Sequence, residues 1–550
     1  MFSRFVRAAV VLGITASLAA CGGGGGGGDD AQTPPNQGTT PPVTTPPPSK
    51  PEAARFLVQG SFGPTDASID EVVAQGYSRW IDAQMAAPIS RQRPALEALG
   101  REVKPGDRVE LWWKNALTGP DQLRQRVAFA LSEILVVSDK DTLYDQQIAL
   151  ANYYDMLAEE AFGNYRRLLE RVTLSPVMGE YLSMKGNQKA NTTKNIRPDE
   201  NYARELMQLF SIGLVELNPD GTVKTGSDGV GIPTYDQNII EGFARVYTGW
   251  TFANAERFNY PKNTDWLSPM KSWPDYHEPG EKQLLSGVVI PAGQTPEQDL
   301  KLALDTIFNH PNVGPYIGKQ LIQRLVTSNP SPAYVGRVAA VFANNGKGVR
   351  GDLGAVVKAI LLDEEARSGQ TANPQGFGKV KEPVLRLAQF WRAFNASKGN
   401  GRLDINTDWN LQQEVQRSPS VFNFFSPFYA QPGAITDAGM VSPELQITTE
   451  STITQITNVL TDNSLWRYQG KTNPKPEELL LNLEKEKALA GDIPQLIERL
   501  NLLLLNGAMS AALRQAVTDQ ITPIAADKPY ERVTEALSLI SSSPEFAVQK

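Results

Sequence analysis

The sequence predicts a mostly α-helical protein: a multi-helix globular domain with long irregular loops and at most a few short strands. From Ala53 onward, apolar residues recur three and four positions apart in most segments, the period of one helix face. Those segments carry helix punctuation, with Pro, Ser, Thr or Asp near their starts and Gly or Asn beyond their ends. Runs that alternate apolar and polar residues, the mark of strands, are few and short. Hydrophobic residues at 41% and charged residues at 21% lie near ordinary globular usage, and 550 residues suffice for large cores.

The first fifty residues stand apart. Arg4 and Arg7 precede an apolar run, Ala8 to Ala20, that is too short to span a bilayer. Leu18-Ala19-Ala20-Cys21 then matches the bacterial lipobox. Residues 1–20 are therefore expected to be a lipoprotein signal peptide, and Cys21, the single cysteine of the chain, the lipidated residue. Each buried methylene of an acyl chain contributes about 0.8 kcal/mol, so several chains on one cysteine would give a durable membrane anchor. Gly22 rather than Asp follows the cysteine, and by resemblance to bacterial lipoproteins the outer membrane is the expected destination. Residues 21–51 hold a glycine run, Gly22 to Gly28, and a Pro/Thr-rich stretch, the composition of a disordered tether. The formal charge is −7, and −9 without the first twenty residues, which carry two arginines and no acid. That balance, with no long Lys/Arg run, argues against a nucleic-acid partner.

The folded part is expected over residues 52–550, with a sub-boundary near 396–410. Its opening, ARFLVQGSFGPTDASIDEVVAQGYSRWIDAQM, predicts two helices around a turn at Gly63-Pro64, with Thr65 or Asp66 as N-cap. Pro120 to Val137 predicts a longer helix with Leu123, Val127, Leu131 and Ile134 as its seam, and with Arg126 and Glu133 near one face. NYYDMLAEEAFG and RRLLERVTLSP follow as helices. Thr251 to Tyr276 is aromatic and Pro-rich and is expected to be a long ordered loop. Helical spacing resumes at Pro296, and IGKQLIQRLVTS, PAYVGRVAAVFANN, DLGAVVKAILLDEEAR and PVLRLAQFWRAF each read as helices. The loop SKGNGRLDINTD and the aromatic run RSPSVFNFFSPFYAQPG precede the C-terminal helices.

Pro198 to Trp250 is the most distinctive stretch. Two amphipathic helices each carry the pattern Glu-x-aromatic-Ala-Arg: Glu200, Tyr202, Ala203 and Arg204, then Glu241, Phe243, Ala244 and Arg245. The first is predicted from Pro198 to Gly213, and the second opens with a capping-box sequence at Thr234 to Gln237. Asn218-Pro219-Asp220-Gly221 predicts a turn closing a small hairpin of VEL against TVK. The Asp220 to Gly231 loop lacks the ligand spacing of an EF-hand.

Together these segments resemble the bacterial exported family called domain of unknown function 1800. ARFLVQGSFGPT, LRQRVAFALSEILVVS, ENYARELMQLFSIG, EGFARVYTGW, HEPGEK and SVFNFFSPFY carry the resemblance, which covers essentially all of Ala53 to Lys550. It implies export, a mostly helical fold, and association with a second exported family similar to sulfatases; it implies no established activity. Some members carry histidines where Ser132, Ile134 and Phe210 stand here, so any metal function they support elsewhere is not expected in this chain.

Candidate chemistry is sparse. No Gly-x-Ser-x-Gly elbow, Walker A loop, Rossmann fingerprint or His-Glu-x-x-His motif is present. No cofactor is predicted. His277, beside Asp275 and Glu278, is a candidate general base or single ligand to a divalent ion; His310 suits a helix end. If the two central helices pack together, Glu200, Arg204, Glu241, Arg245 and Glu205 would form a partly buried ion-pair network, in which burial and neighbouring charge could split carboxylate pKa values. Glu205, Glu241 and Glu133 are the candidate catalytic carboxylates. Phe422, Phe424, Phe425 and Tyr429 are candidate binding aromatics. Two functions follow: a binding or assembly module for an envelope or extracellular component, or a carboxylate-based hydrolase or lyase acting on an extracellular polymer such as a glycan.

Overall fold

Helices dominate the computed structural model, which describes residues 46–403, 407–466 and 473–550. Among them the strands are two residues long and pair as four antiparallel ladders. Pro47 to Lys550 forms one compact unit. Cys21 and most of the expected tether lie outside the described residues.

The first helix, Lys50–Gly60, starts two residues before the expected boundary because Ser49 and Glu52 complete a capping box. Thr65 caps the second, Asp66–Gln75, by accepting from the Ser68 amide. Gly76, at φ +76°, then breaks what the apolar spacing had suggested was one element, and a third helix runs Tyr77–Ala86. The helix expected from Pro120 to Val137 is shorter, Gln122–Ser132. Its seam is buried throughout, and Trp112, Trp113 and Trp391 pack beside it edge-on or tilted, with ring centroids 5.1 and 5.3 Å apart.

The central helices are also shorter than their patterns. The first runs Asn201–Gln208 and the second Gln237–Val246, capped by Asp236 accepting from the Ile239 amide rather than by a Thr234 capping box. Thr234 instead donates to the Gly213 carbonyl at 2.6 Å. The expected hairpin forms: Asn218 N–H donates to Thr222 O and Lys224 N–H to Glu216 O, each at 2.8 Å. A third run joins it through Glu216 N–H to Ile232 O at 2.8 Å.

The chain end is built into the same region. Val548–Gln549 pairs with Lys379–Val380, and the Gln549 amide donates to the carbonyls of Leu325 and Val326 at 2.8 and 3.1 Å. Those carbonyls lie at the C-terminal end of helix Val313–Leu325, so the tail satisfies groups the helix leaves open. Strand Ser397–Lys398 pairs with Leu479–Leu480, linking the region of the expected sub-boundary to the C-terminal helices.

Candidate functional site: a pocket above a buried charge cluster

Helix Val313–Leu325 divides its residues cleanly. Ile317, Leu321, Ile322 and Leu325 are fully buried in the core. Tyr316, Lys319, Gln320, Gln323 and Arg324, spaced at three and four residues, face a cavity of about 490 Å³. That volume falls within the range of small-molecule sites. The 213–223 hairpin forms one wall with Leu214, Val215, Leu217 and Val223, and the 421–428 loop forms the other. Gly213, at φ +73°, makes the turn into the hairpin, and a Cβ there would lie 2.8 Å from the Tyr316 ring.

The 421–428 loop is irregular because Pro419 precedes it, Pro427 falls within it and Asn423 adopts φ +64°. Side chains beneath hold it: Ser138 Oγ donates to Ser418 O at 2.7 Å, and Gln323 Nε2 to Pro427 O at 3.1 Å. Phe425 is buried under the Arg324 guanidinium, 4.6 Å from its ring centroid. Phe422 and Phe428 are 55% and 59% exposed at the mouth, facing Leu214 at 55% and Val223 at 49%.

The floor is charged. Glu133, just past the end of helix Gln122–Ser132, is buried with Oε2 3.8 Å from Arg324 Nη1, and it accepts from Asn423 Nδ2 at 3.4 Å. The carboxyl of Glu382 is close enough for the two acids to repel each other when both are charged. Burial, and then the Glu382 charge, push Glu133 up to about 8 against the pull of Arg324. Burial works the same way on Glu382, but Lys379 and the two arginines outweigh it and hold that group below the usual carboxylate range. Lys379 Nζ lies 3.7 Å from Glu382 and 3.0 Å from Glu444, and Gln413 Nε2 donates to Glu382 Oε2 at 2.7 Å. Arg126 and Lys379 both donate to the Arg324 carbonyl, at 2.6 and 3.0 Å.

Several polar atoms at and above this cluster are buried without a hydrogen-bond partner among the described residues, among them Glu133 Oε2, Gln320 Nε2, Gln323 Oε1 and Arg324 Nε. Each such group costs about 1–3 kcal/mol to leave unmatched. Lys319, half-buried beside them, has its pKa lowered by burial, and no described side chain pairs with it. A depression of about 590 Å³ beside Trp250 differs, because its charged side chains engage each other, Arg166 with Glu170 and Asp305 at 2.7 Å.

The residues singled out from the sequence separate. Glu133 lies in the pocket floor, and Phe422 and Phe425 line the pocket; Phe428 joins them. Phe424 turns instead toward a small void beside Ser132 and Val415, and Tyr429 donates to Gln431 Oε1 at 2.9 Å. Glu205 is buried behind the wall, with burial raising its pKa and Oε2 unpartnered among the described residues. It is not a lining residue. Ile134 lines the pocket, whereas Phe210 is core.

The expected four-charge network is corrected to a single surface pair. Arg204 pairs with Glu200 at 2.9 Å, both about a third or more exposed, and Glu200 also accepts from Gln237 Nε2 at 3.0 Å. Glu241 is exposed, and Arg245 donates to the Glu281 carbonyl at 3.2 Å. The helices do pack, but through Tyr202 and Tyr247, edge to face at 5.0 Å, which turns their charged faces outward.

His277 is corrected from base or ligand to structural partner. Its Nδ1 meets the Thr248 carbonyl at 2.9 Å and its Nε2 meets Asp299 Oδ2 at 2.8 Å, and the ring is buried. Lys282 Nζ completes the group at 2.7 Å from Asp299. With both nitrogens engaged, no lone pair is left for a metal or a substrate proton. Asp275 is exposed nearby. Among the described residues, no group of three or more His, Cys, Asp or Glu side chains converges to hold a metal ion.

The sequence reading missed Lys379, Glu382, Gln413 and Glu444, which come from three separate segments. It also gave no role to the polar stripe of IGKQLIQRLVTS. Its signal was legible: polar residues spaced at three and four along a helix whose other face is wholly apolar.

Fold and site define a helical domain with an apolar-walled pocket seated on a buried cluster of carboxylates and cations. The chain belongs to the family described as Protein of unknown function (DUF1800), whose profile matches residues 55–548. Neither the curated proteins nor the solved structures gave a match.

Proposed function

We propose that this protein is a binding module of the bacterial cell envelope, held at the outer membrane by lipid on Cys21, and that the pocket beneath Phe422 and Phe428 is its ligand site. One observation carries the binding role: an apolar-walled cavity whose floor presents buried Gln320, Gln323 and Arg324 atoms without partners. Unmatched polar atoms at the end of an apolar cavity are what a ligand with an apolar body and one polar end would satisfy. The half-exposed apolar rim supports the same reading, since such patches mark interaction surfaces. The signal-peptide pattern supports export and anchoring, and among the described residues no helix is long and apolar enough to cross a membrane.

The test uses N-phenyl-1-naphthylamine, a neutral fluorescent apolar probe. It is expected to bind one site, and Val215→Trp, which fills the cavity, to weaken it tenfold or more (about 1.4 kcal/mol). Equal binding by the variant would remove the pocket from the proposal. Anchoring is checked separately: Cys21→Ala is expected to abolish labelling by radioactive palmitate and release the protein from membranes.

A second reading, a carboxylate enzyme acting on an extracellular polymer, is favoured by one feature. Glu133 and Glu382 lie buried near one another and have their pKa values driven apart, the condition for a general acid at neutral pH. Glycan-array turnover lost in Glu133→Gln, with probe binding retained, would establish it over simple binding.

A further inference from the structure

The chemistry of the pocket floor narrows the ligand further. The charged residues lining the cavity are Glu133, Lys319 and Arg324, two cations against one carboxyl group. One oxygen of that carboxyl accepts from Asn423 and the other lies 3.8 Å from Arg324, whereas Lys319 has no partner among the described residues. Of the buried atoms left unmatched on the cavity's lining residues, Gln320 Nε2 and Arg324 Nε are donors, and Gln323 Oε1 and Glu133 Oε2 are acceptors, the latter facing Arg324 Nη1 at 3.8 Å. Lys319, Gln320 and Arg324 all line the cavity from helix Val313–Leu325, so the donors are supplied by one element.

Each ligand class meets this floor differently. A cation is repelled by Lys319 and Arg324. A neutral polyol leaves the excess of cations over carboxyl at the floor, the Lys319 ammonium included, without a counter-charge. An anionic head takes the donors and balances the excess positive charge, with charge-assisted bonds roughly twice as strong as neutral ones. The rest of the cavity is apolar, from Leu209 and Leu217 to the rim residues Phe422 and Phe428, so the remainder of the ligand is apolar and extends toward solvent.

Resting on the reading of this pocket as a binding site, we propose that its ligand is an anionic amphiphile, its acidic head held by Lys319, Gln320 and Arg324 and its apolar body leaving between Phe422 and Phe428. The full chain carrying Cys21→Ser, which needs no detergent, is titrated below the micellar range with dodecanoate, dodecanol and dodecyltrimethylammonium. Dodecanoate is expected to bind one site at least tenfold more tightly than dodecanol, and the cation not to compete. Lys319→Gln, at a half-buried position outside the ion-pair cluster, is expected to weaken dodecanoate several-fold while leaving dodecanol unchanged, and Arg324→Gln to do so more strongly. If Arg324→Gln fails to fold, Lys319→Gln alone decides the head's position. Equal binding of dodecanol and dodecanoate, or an unchanged dodecanoate affinity in Lys319→Gln, would overturn the anionic class while leaving the pocket a binding site. Failure of all three amphiphiles together with the neutral naphthylamine probe would overturn the binding site itself.

Discussion

Glu133 and Glu382 are buried near one another at the pocket floor, and their pKa values are driven in opposite directions. Glu133 rises to about 8 and Glu382 falls below the usual carboxylate range, so at neutral pH the two acids carry one negative charge. Lys379, Arg324 and Arg126 surround that charge. The pair is the deepest part of the site, and it ties the end of helix Gln122–Ser132 to the start of helix Pro383–Ala393.

Stability should therefore depend on pH through this pair. Glu133 has a folded pKa, about 8, above its unfolded value. Between the ordinary carboxylate range and pH 8 the native state keeps a proton that the unfolded chain has released, so this contribution falls as pH rises through that window. Glu382 shifts the other way, and its contribution is lost as pH falls below the ordinary range. Glu133→Gln cannot ionise. Urea unfolding of the variant is expected to be flatter than wild type from pH 5 to pH 8, and its advantage over wild type to grow with pH.

Asp299 joins His277 and Lys282 in a fully buried group. Asp299→Ala leaves both partners buried without their acceptor, and such a break costs about 3–5 kcal/mol. The group holds structure rather than metal, so EDTA is expected to leave the wild-type Tm unchanged while Asp299→Ala lowers it by several degrees. A Tm lowered by EDTA would return His277 to the metal ligands.

Gly242 sits in mid-helix, where glycine costs about 1 kcal/mol relative to alanine. Its use is packing: a Cβ there would lie 1.9 Å from the Gln283 carbonyl oxygen, on the short strand that the helix covers. Backbone cannot move aside as a side chain can. Gly242→Ala is expected to destabilise by at least the 1–3 kcal/mol typical of overpacked cores, despite its better helix propensity. Calorimetry of the purified variant checks it.

The sequence carried the fold well because helix faces and caps are local. Thr65 and the apolar seam Leu123 to Ile134 could be read within a single segment. Helix lengths were less legible: Gly76 breaks an apolar spacing that continues past it, and the helix that opens at Asn201 ends at Gln208, short of the expected Gly213. For the site, Glu133 and Phe425 were readable by residue type, but their partners were not. Lys379, Glu382 and Arg324 are brought to Glu133 by chain separated from it by more than a hundred residues, and no periodicity encodes that encounter. The doubled Glu-x-aromatic-Ala-Arg pattern misled for a related reason. It fixes which faces are charged, whereas the aromatic pair Tyr202–Tyr247 decides which faces meet.

Within the 421–428 loop, neighbouring phenylalanines should divide between stability and binding. Phe425 is 1% exposed and lies under Arg324, so Phe425→Ala opens a cavity and removes a cation–π contact. Losses of this kind cost about 3–5 kcal/mol. Phe428 is 59% exposed, and its replacement by alanine removes little buried area, so the change in unfolding free energy should stay within about 0.5 kcal/mol. Because Phe428 lines the mouth, the same variant should weaken the naphthylamine probe several-fold, and Phe422→Ala should do likewise. Urea unfolding and probe titration on the three variants separate the two roles. If Phe428→Ala unfolds as readily as Phe425→Ala, or if neither exposed ring affects the probe, the rim belongs to the core and the ligand enters elsewhere.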